Sequence, residues 1–298
     1  MFLQTQKQTK LGIIMKKYES IVILLGCCHA FLMLSNASAQ TMEFDTGNLS
    51  KIEVYFIYGK INVVGTDDNK MFLEVTAHKE VPAGFNSLKF DLRESNSEMD
   101  LHIENNGTIL TIYPSSIQAK LSNYLLKVPK SLMLKIDNNG GDLNRMWHPA
   151  YFKSVMTDTI LIENMVNDIE IYASTWSTLR IIDISGPIVA NSNTGDIYIK
   201  FSSLSQVKPS SIKSSTGRIN LILPQTINCD IKESSFCGKF YSELALNNME
   251  ETFPDPEVRC KTTVADDEAD TKISGHINNG GVTLHLRTLN SDINLRKY

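Results

Sequence analysis

The stretch Gly275-His276-Ile277-Asn278-Asn279-Gly280-Gly281-Val282-Thr283-Leu284-His285-Leu286-Arg287 sets a Gly- and Asn-rich corner before a run in which Val282, Leu284 and Leu286 alternate with polar residues. Period-two alternation puts the apolar members on one face of an extended strand. Gly, Asn, Asp and Ser are the residues a tight corner needs. The same unit recurs at Gly59-Lys60-Ile61-Asn62, Gly195-Asp196-Ile197-Tyr198-Ile199, Gly217-Arg218-Ile219-Asn220-Leu221 and Ser291-Asp292-Ile293-Asn294-Leu295. Weaker copies stand at Gly141-Asp142-Leu143, Asn167-Asp168-Ile169-Glu170-Ile171, Gly186-Pro187-Ile188 and Gly238-Lys239-Phe240.

The approach to the corner repeats too. Ala190-Asn191-Ser192-Asn193-Thr194-Gly195 resembles Ile212-Lys213-Ser214-Ser215-Thr216-Gly217, and Ile231-Lys232-Glu233-Ser234-Ser235 is a third copy. A self-similar step of about 20 residues is the mark of a solenoid. One rung cannot bury its inward Ile, Val and Leu alone, whereas stacked rungs share a continuous apolar column. The sequence therefore predicts an all-β, single-chain β-solenoid, β-helix-like, with irregular N-terminal hairpins. Its corners are expected at Gly59, Gly141, Gly195, Gly217, Gly238, Gly275 and Gly281, where φ > 0 or local side-chain hydrogen bonds are required. Outward positions such as Lys213, Arg218, Asn220, Thr283, His285 and Arg287 stay polar.

Towards the N-terminus, residues 52–64 read as two strands broken at Gly59. Leu101-His102-Ile103 and Ile109-Leu110-Thr111-Ile112, joined through Asn105-Asn106-Gly107, read as a hairpin. Two stretches leave the rhythm: the aromatic Arg145–Phe152, and Tyr241–Asp270 with Pro254, Pro256 and a run of acids. Strands of an outer-membrane barrel would need roughly ten residues between turns, and these are interrupted after about five.

The first 39 residues read as a secretory signal peptide. Lys16-Lys17 precede an apolar run from Ile21 to Leu34, and Ala37-Ser38-Ala39 supplies a small-x-small cleavage site. Leu24-Leu25-Gly26-Cys27 offers a rival, a lipobox that would acylate Cys27. Residues 40–298 form the expected solenoid domain. Cleavage after Ala39 takes the balance from 29 basic against 33 acidic side chains to 25 against 32, a net of −7. An acidic surplus offers nucleic acid no general attraction. Cleavage leaves Cys229, Cys237 and Cys260, which read either as at most one disulfide, Cys237 with Cys260 or with Cys229, or as three buried small apolar residues.

Motifs of known chemistry are absent: there is no Gly-x-Ser-x-Gly, His-Glu-x-x-His, P-loop or Gly-x-Gly-x-x-Gly. His276 and His285 alternate with apolar neighbours and read as ordinary outward strand residues. Asp266, Glu268 and Asp270 open like a calcium loop, but Thr271 and Ile277 occupy the positions an EF-hand gives to Gly and Glu. Residues a rung apart, Asp168 with Asp196 or Lys213 with Lys232, are the pairs from which a polysaccharide-processing groove could be built. Trp147, Tyr151 and Phe152 are the candidate binding residues, either stacking on sugar rings or capping the open end of the column. No catalytic residue, cofactor or metal ligand is assigned.

The corners Gly59-Lys60-Ile61-Asn62, Gly195-Asp196-Ile197, Gly217-Arg218-Ile219-Asn220-Leu221-Ile222-Leu223-Pro224 and Gly280-Gly281-Val282-Thr283-Leu284 resemble those of bacterial secreted "putative adhesin" families with Gly-x-Ile-x-hydrophobic repeats, including the type named for a Gly-Ile-Asn signature. The resemblance covers most of residues 50–298 and departs at 145–160 and 241–270. It implies an exported, Bacteroidetes-type β-solenoid of unknown function, secreted, periplasmic or on the outer surface, with adhesion proposed. The expected role is thus a non-catalytic adhesin or surface-structural protein, whose partner would be a surface glycan or an envelope protein. The competing expectations are a polysaccharide lyase or hydrolase on the same scaffold and a periplasmic scaffold for an envelope partner.

Overall fold

A computed structural model describes residues 39–57, 59–76, 101–116, 119–120, 122–138, 159–173, 177–204, 207–253 and 271–298. In chain order the strands are β1 (Ala39–Asp45), β2 (Lys51–Tyr55), β3 (Ile61–Thr66), β4 (Lys70–Thr76), β5 (Leu101–Asn105), β6 (Ile109–Pro114) and β7 (Asn123–Pro129). Next come β8 (Met133–Asp137), β9 (Thr159–Glu163), β10 (Ile169–Ala173), β11 (Thr178–Ile184), β12 (Ile188–Ser192), β13 (Ile197–Phe201) and β14 (Ser210–Ser214). The rest are β15 (Ile219–Leu223), β16 (Cys229–Ser235), β17 (Phe240–Ser242), β18 (Asn247–Thr252), β19 (Thr271–Ile277), β20 (Val282–Thr288) and β21 (Ile293–Lys297).

The described residues are all-β and form two large mixed sheets. Sheet A runs β1-β4-β7-β3-β9-β11-β13-β15-β21-β17, and sheet B runs β18-β19-β16-β20-β14-β12-β10-β8-β2-β6-β5. From β8 to β15 the chain changes sheet at every strand, and each strand pairs in parallel with the one two places further on. The outer strands close the stack in antiparallel fashion: β4 and β1 at one end of sheet A, β5 and β19–β18 at the two ends of sheet B. The expected hairpin is the β5–β6 pair, turned at Gly107 with φ 94°.

Two places break sequence order. β2 and β3 lie between their partners β6/β8 and β7/β9. Likewise β20 lies between β14 and β16, and β21 between β15 and β17. The last two strands of the chain therefore sit inside the sheets and not at their edge.

Register turns the alternation into columns. In sheet B, Ile112, Val54, Ile136, Ile171, Ala190, Ile212 and Leu286 stand side by side across seven strands, all buried. Glu233 continues this column beyond Leu286, a buried carboxylate in an otherwise aliphatic line. In sheet A the facing column is Leu126, Val63, Ile162, Ile181, Ile199, Leu221 and Leu295. The apolar faces point between the sheets, the reverse of a lipid-facing barrel. No helix among the described residues is long and apolar enough to cross a membrane, which leaves strands untested.

A third column explains the repeated approach to the corner. Ser192, Ser214, Thr288 and Ser235 end their sheet-B strands in register and are buried. The hydroxyls of Ser192, Ser214 and Thr288 accept from the amides of Gly195, Gly217 and Ser291, three residues on, at 3.1, 2.9 and 3.1 Å. Ser235 donates to the Gly238 carbonyl at 3.3 Å. Removing one such hydroxyl strands a buried amide, a loss of about 1–3 kcal/mol. Ser214→Ala is expected to lower the urea midpoint accordingly, while Ser211→Ala, on the outer face, leaves it in place.

Glycine at these corners answers a need for space. The described left-handed residues include Asn164 (φ 60°), Asn278 (φ 54°) and Gly280 (φ 71°), and neither Gly195 nor Gly217 is among them. A Cβ on Gly195 would lie 1.8 Å from the Ser177 carbonyl oxygen, and one on Gly217 2.0 Å from that of Gly195. Of the two alternatives expected, positive φ holds at Gly281 (φ 156°), while Gly195 and Gly217 have the local side-chain hydrogen bonds with Ser192 and Ser214, and there the neighbouring backbone passes too close for a side chain. Of the other expected corners, Gly59 and Gly238 lie between a sheet-B and a sheet-A strand, and Gly141 falls outside the described residues. Gly275 lies inside β19, and the turn it was expected to make comes at 278–281.

Cys237 is disulfide-bonded and Cys229 is a buried free thiol, so the expected pairing of these two does not form. Burial, with the Asp230 charge, pushes the Cys229 thiol up to about 12, which leaves it protonated at neutral pH.

Candidate functional site

Every residue between two buried ones faces outward, so register also lines up the outer side chains. Across sheet B one row reads Glu104, Thr111, Glu53, Lys135, Glu170, Val189, Ser211, His285, Lys232, Ser274 and Glu250. The next row includes Tyr55, Asp137, Tyr172, Asn191, Lys213, Arg287, Ser234, Lys272 and Thr252.

In the first half of this face acids outnumber bases, with Glu104, Glu53, Glu170 and Asp137 in the two rows around Lys135. Lys135 stands between Glu53 and Glu170 and lies 3.2 Å from the Tyr55 hydroxyl, which donates to Glu53 at 2.9 Å. Lys51 meets Glu53 at 2.9 Å. Burial alone would raise the Glu53 carboxyl, but hydrogen bonds from Lys51 and Tyr55 and the charges of Lys51 and Lys135 outweigh it and hold the group below its usual range.

In the second half bases outnumber acids, with Lys213, Lys232, Lys272 and Arg287 beside Glu233 and Glu250. A cleft of about 440 Å³ opens over β14, β20, β16, β19 and β18, lined by Lys213, Lys232, Lys272, Arg287 and His285 with the acids Glu233 and Glu250 and with Ser234, Ser274 and Thr252. Lys213 is directly opposite Arg287, and Lys232 opposite His285. Burial and the charges of Lys232 and Lys213 hold the His285 imidazole below its usual value, so it gains a proton only in more acidic solution. Such a surface can attract anions.

Beside the cleft, residues 278–281 carry the chain from β19 across the start of β16 to β20. Asn278 donates to the carbonyls of Ile227 and Gln225 at 2.6 and 3.1 Å, and the Asn279 amide donates to Asn228 at 3.2 Å. His276 Nδ1 lies 2.6 Å from Asp230 Oδ1, and the Gly281 amide donates to the same oxygen at 3.1 Å. His276 thus has a partner acid, which the sequence reading did not find across 46 positions. The hydrogen bond with His276 is the chief force holding the Asp230 carboxyl below its usual range, against burial and with help from Gly281. A depressed folded-state pKa gives stability that is full above the ordinary carboxylate value of 3.8 and is lost as pH falls through the lower folded value. Asp230→Asn is expected to cost about 1.5–3 kcal/mol at pH 7, with the difference from wild type vanishing in thermal scans at the acid end of that window.

Lys213 and Lys232, paired in the sequence reading by their spacing, both line the cleft. Asp168 and Asp196 do not meet: Asp168 pairs with Lys208 at 2.6 Å and Asp196 with Arg218 at 3.1 Å. Lys272 and Glu250 were missed, because only the antiparallel addition of β19 and β18 brings them to the cleft. Trp147, Tyr151, Phe152 and the acids 266–270 fall outside the described residues.

Fold and cleft define an all-β protein with two mixed sheets and a basic outer patch. No protein-family model matches the chain, and comparison with the curated proteins finds no match. Among solved structures it is similar to a "putative cell adhesion protein" from Clostridium sporogenes (11% identity, 88% of this chain and 100% of that one, TM-score 0.37). It is also similar to a "putative adhesin" from Bacteroides fragilis (10%, 87% and 97%, TM-score 0.37) and a "putative lipid binding protein" from Parabacteroides distasonis (18%, 69% and 71%, TM-score 0.36). At these identities and TM-scores the likenesses carry no argument about function.

Proposed function

We propose that this chain is an exported, non-catalytic β-solenoid, released by cleavage after Ala39, whose residues 40–298 act as a surface or envelope adhesin. The observation that carries the reading is the outer face of sheet B, where register holds eleven strands' side chains in rows. Such a face presents side chains at a regular strand spacing that an extended ligand can follow. Strand alternation between the sheets from β8 to β15, with parallel pairing, supports the solenoid description.

A glycan array probed with residues 40–298 tests the role: retention of a surface polysaccharide without change in its chain length supports it. Depolymerisation would replace it with the competing lyase or hydrolase. Co-purification of one envelope protein, with no glycan bound, would replace it with the scaffold reading. The mass of the mature N-terminus decides between Gln40 and an acylated Cys27.

A further inference from the structure

We infer that the basic cleft over β14, β20, β16, β19 and β18 binds an acidic polysaccharide, its uronate or sulfate groups held by Lys213, Lys232, Lys272 and Arg287. This deepens the adhesin reading and rests on it.

The first support is electrostatic. Like charges directly opposite on neighbouring strands are destabilising, yet Lys213 faces Arg287, and Lys232 faces His285, which joins the cations once protonated in acid. Elsewhere on the same face Lys135 is flanked by Glu53 and Glu170. Lys213, Lys232 and Lys272 are exposed and form no ion pair with a described residue. This concentration of cations stands on a chain whose net charge is −4. An anionic ligand would offset the charge of the exposed Lys213, Lys232 and Lys272.

Geometry narrows the ligand. Lys213, Arg287 and Lys272 lie on β14, β20 and β19, with β16 between the last two, so the row extends about 14 Å at a strand spacing of ~4.8 Å. A single phosphate cannot span it, whereas a short run of charged sugars can. The volume, about 440 Å³, falls within the ~300–1,000 Å³ typical of ligand pockets. Ser274 and Thr252 interleave with the cations and offer hydroxyls to sugar hydroxyls. Apart from His285, no aromatic ring among the described residues lines the cleft, so it lacks the stacking platform that single-stranded nucleic acid uses.

The test is affinity electrophoresis and calorimetry on residues 40–298 with polygalacturonate, dextran sulfate and neutral dextran. Retention by either acidic polymer, absent with dextran and weakening as salt rises, is expected. Lys232→Gln/Lys272→Gln should loosen binding at least about tenfold, Lys135→Gln should not, and acidification through the His285 titration should tighten it. Polygalacturonate and dextran sulfate separate uronate from sulfate as the preferred group. Equal binding by the double variant, no retention of either acidic polymer at low salt, or retention only by anionic lipid vesicles or DNA would overturn the inference. Neutral-glycan binding on the array with no acidic-polymer retention would overturn this inference alone and leave the adhesin reading standing.

Discussion

A chain ending at Gly281 is expected not to fold. Terminal residues are usually the most dispensable part of a domain, but β20 and β21 supply the unit between β14/β15 and β16/β17. Their deletion removes Leu284, Leu286, Ile293 and Leu295, all essentially buried. At about 1.5–3 kcal/mol per side chain, these four contribute roughly 6–12 kcal/mol, against a typical net stability of about 5–15 kcal/mol. The truncation also leaves the facing backbone edges of β14 and β16 without partners. Circular dichroism and limited proteolysis should report a chain without a cooperative transition. By contrast, deleting β1, an edge strand with an alternating exposed pattern, should give a milder loss with the transition retained. A truncated chain as protease-resistant as the intact one would show that the last two strands are not interior.

The second large effect is a single methyl group at Gly217. Its Cβ would fall 2.0 Å from the carbonyl oxygen of Gly195 and 2.9 Å from the Asp196 amide nitrogen, both backbone atoms. Backbone cannot step aside as a flexible side chain can, so units β12/β13 and β14/β15 must part. That breaks the bonds between the units, from the Arg218 amide to Asp196 at 2.8 Å and from the Thr216 amide to the Asn193 carbonyl at 3.0 Å. Gly217→Ala is expected to cost about 4 kcal/mol or more, the range reserved for core disruption. Gly47→Ala, whose Cβ would meet an Asp45 side-chain oxygen at 3.4 Å, should be nearly neutral. Chemical denaturation of the two variants side by side decides it, and comparable midpoints would remove the claim that backbone leaves no room for a side chain at this corner.

How much of this was legible beforehand differs from residue to residue. The alternation in Ile197-Tyr198-Ile199 and Ile219-Asn220-Leu221 depends on nothing but the two-residue period of an extended chain, and the buried positions fall where it puts them. The Ser-x-x-Gly approach at Ser192 and Ser214 is equally local, since the hydroxyl and the amide it receives are three residues apart. Gly275 was misjudged because a glycine in an alternating run looks the same as a glycine ending one. Only the pairing of β19 with β16 identifies it as mid-strand.

From its own residues, then, the chain determined that it is all-β, which side chains go inward, and that its repeated corners carry hydroxyls and glycines. These follow from short-range geometry, which any window of ten residues contains. Tertiary structure decided the order in which the units stack, the placement of β2, β3, β20 and β21 inside the sheets, and the meeting of Lys213, Lys232, Lys272, Arg287 and His285 in one cleft. Those depend on which strand finds which partner across the chain, and a backbone edge offers the same hydrogen bonds to every strand that could add to it.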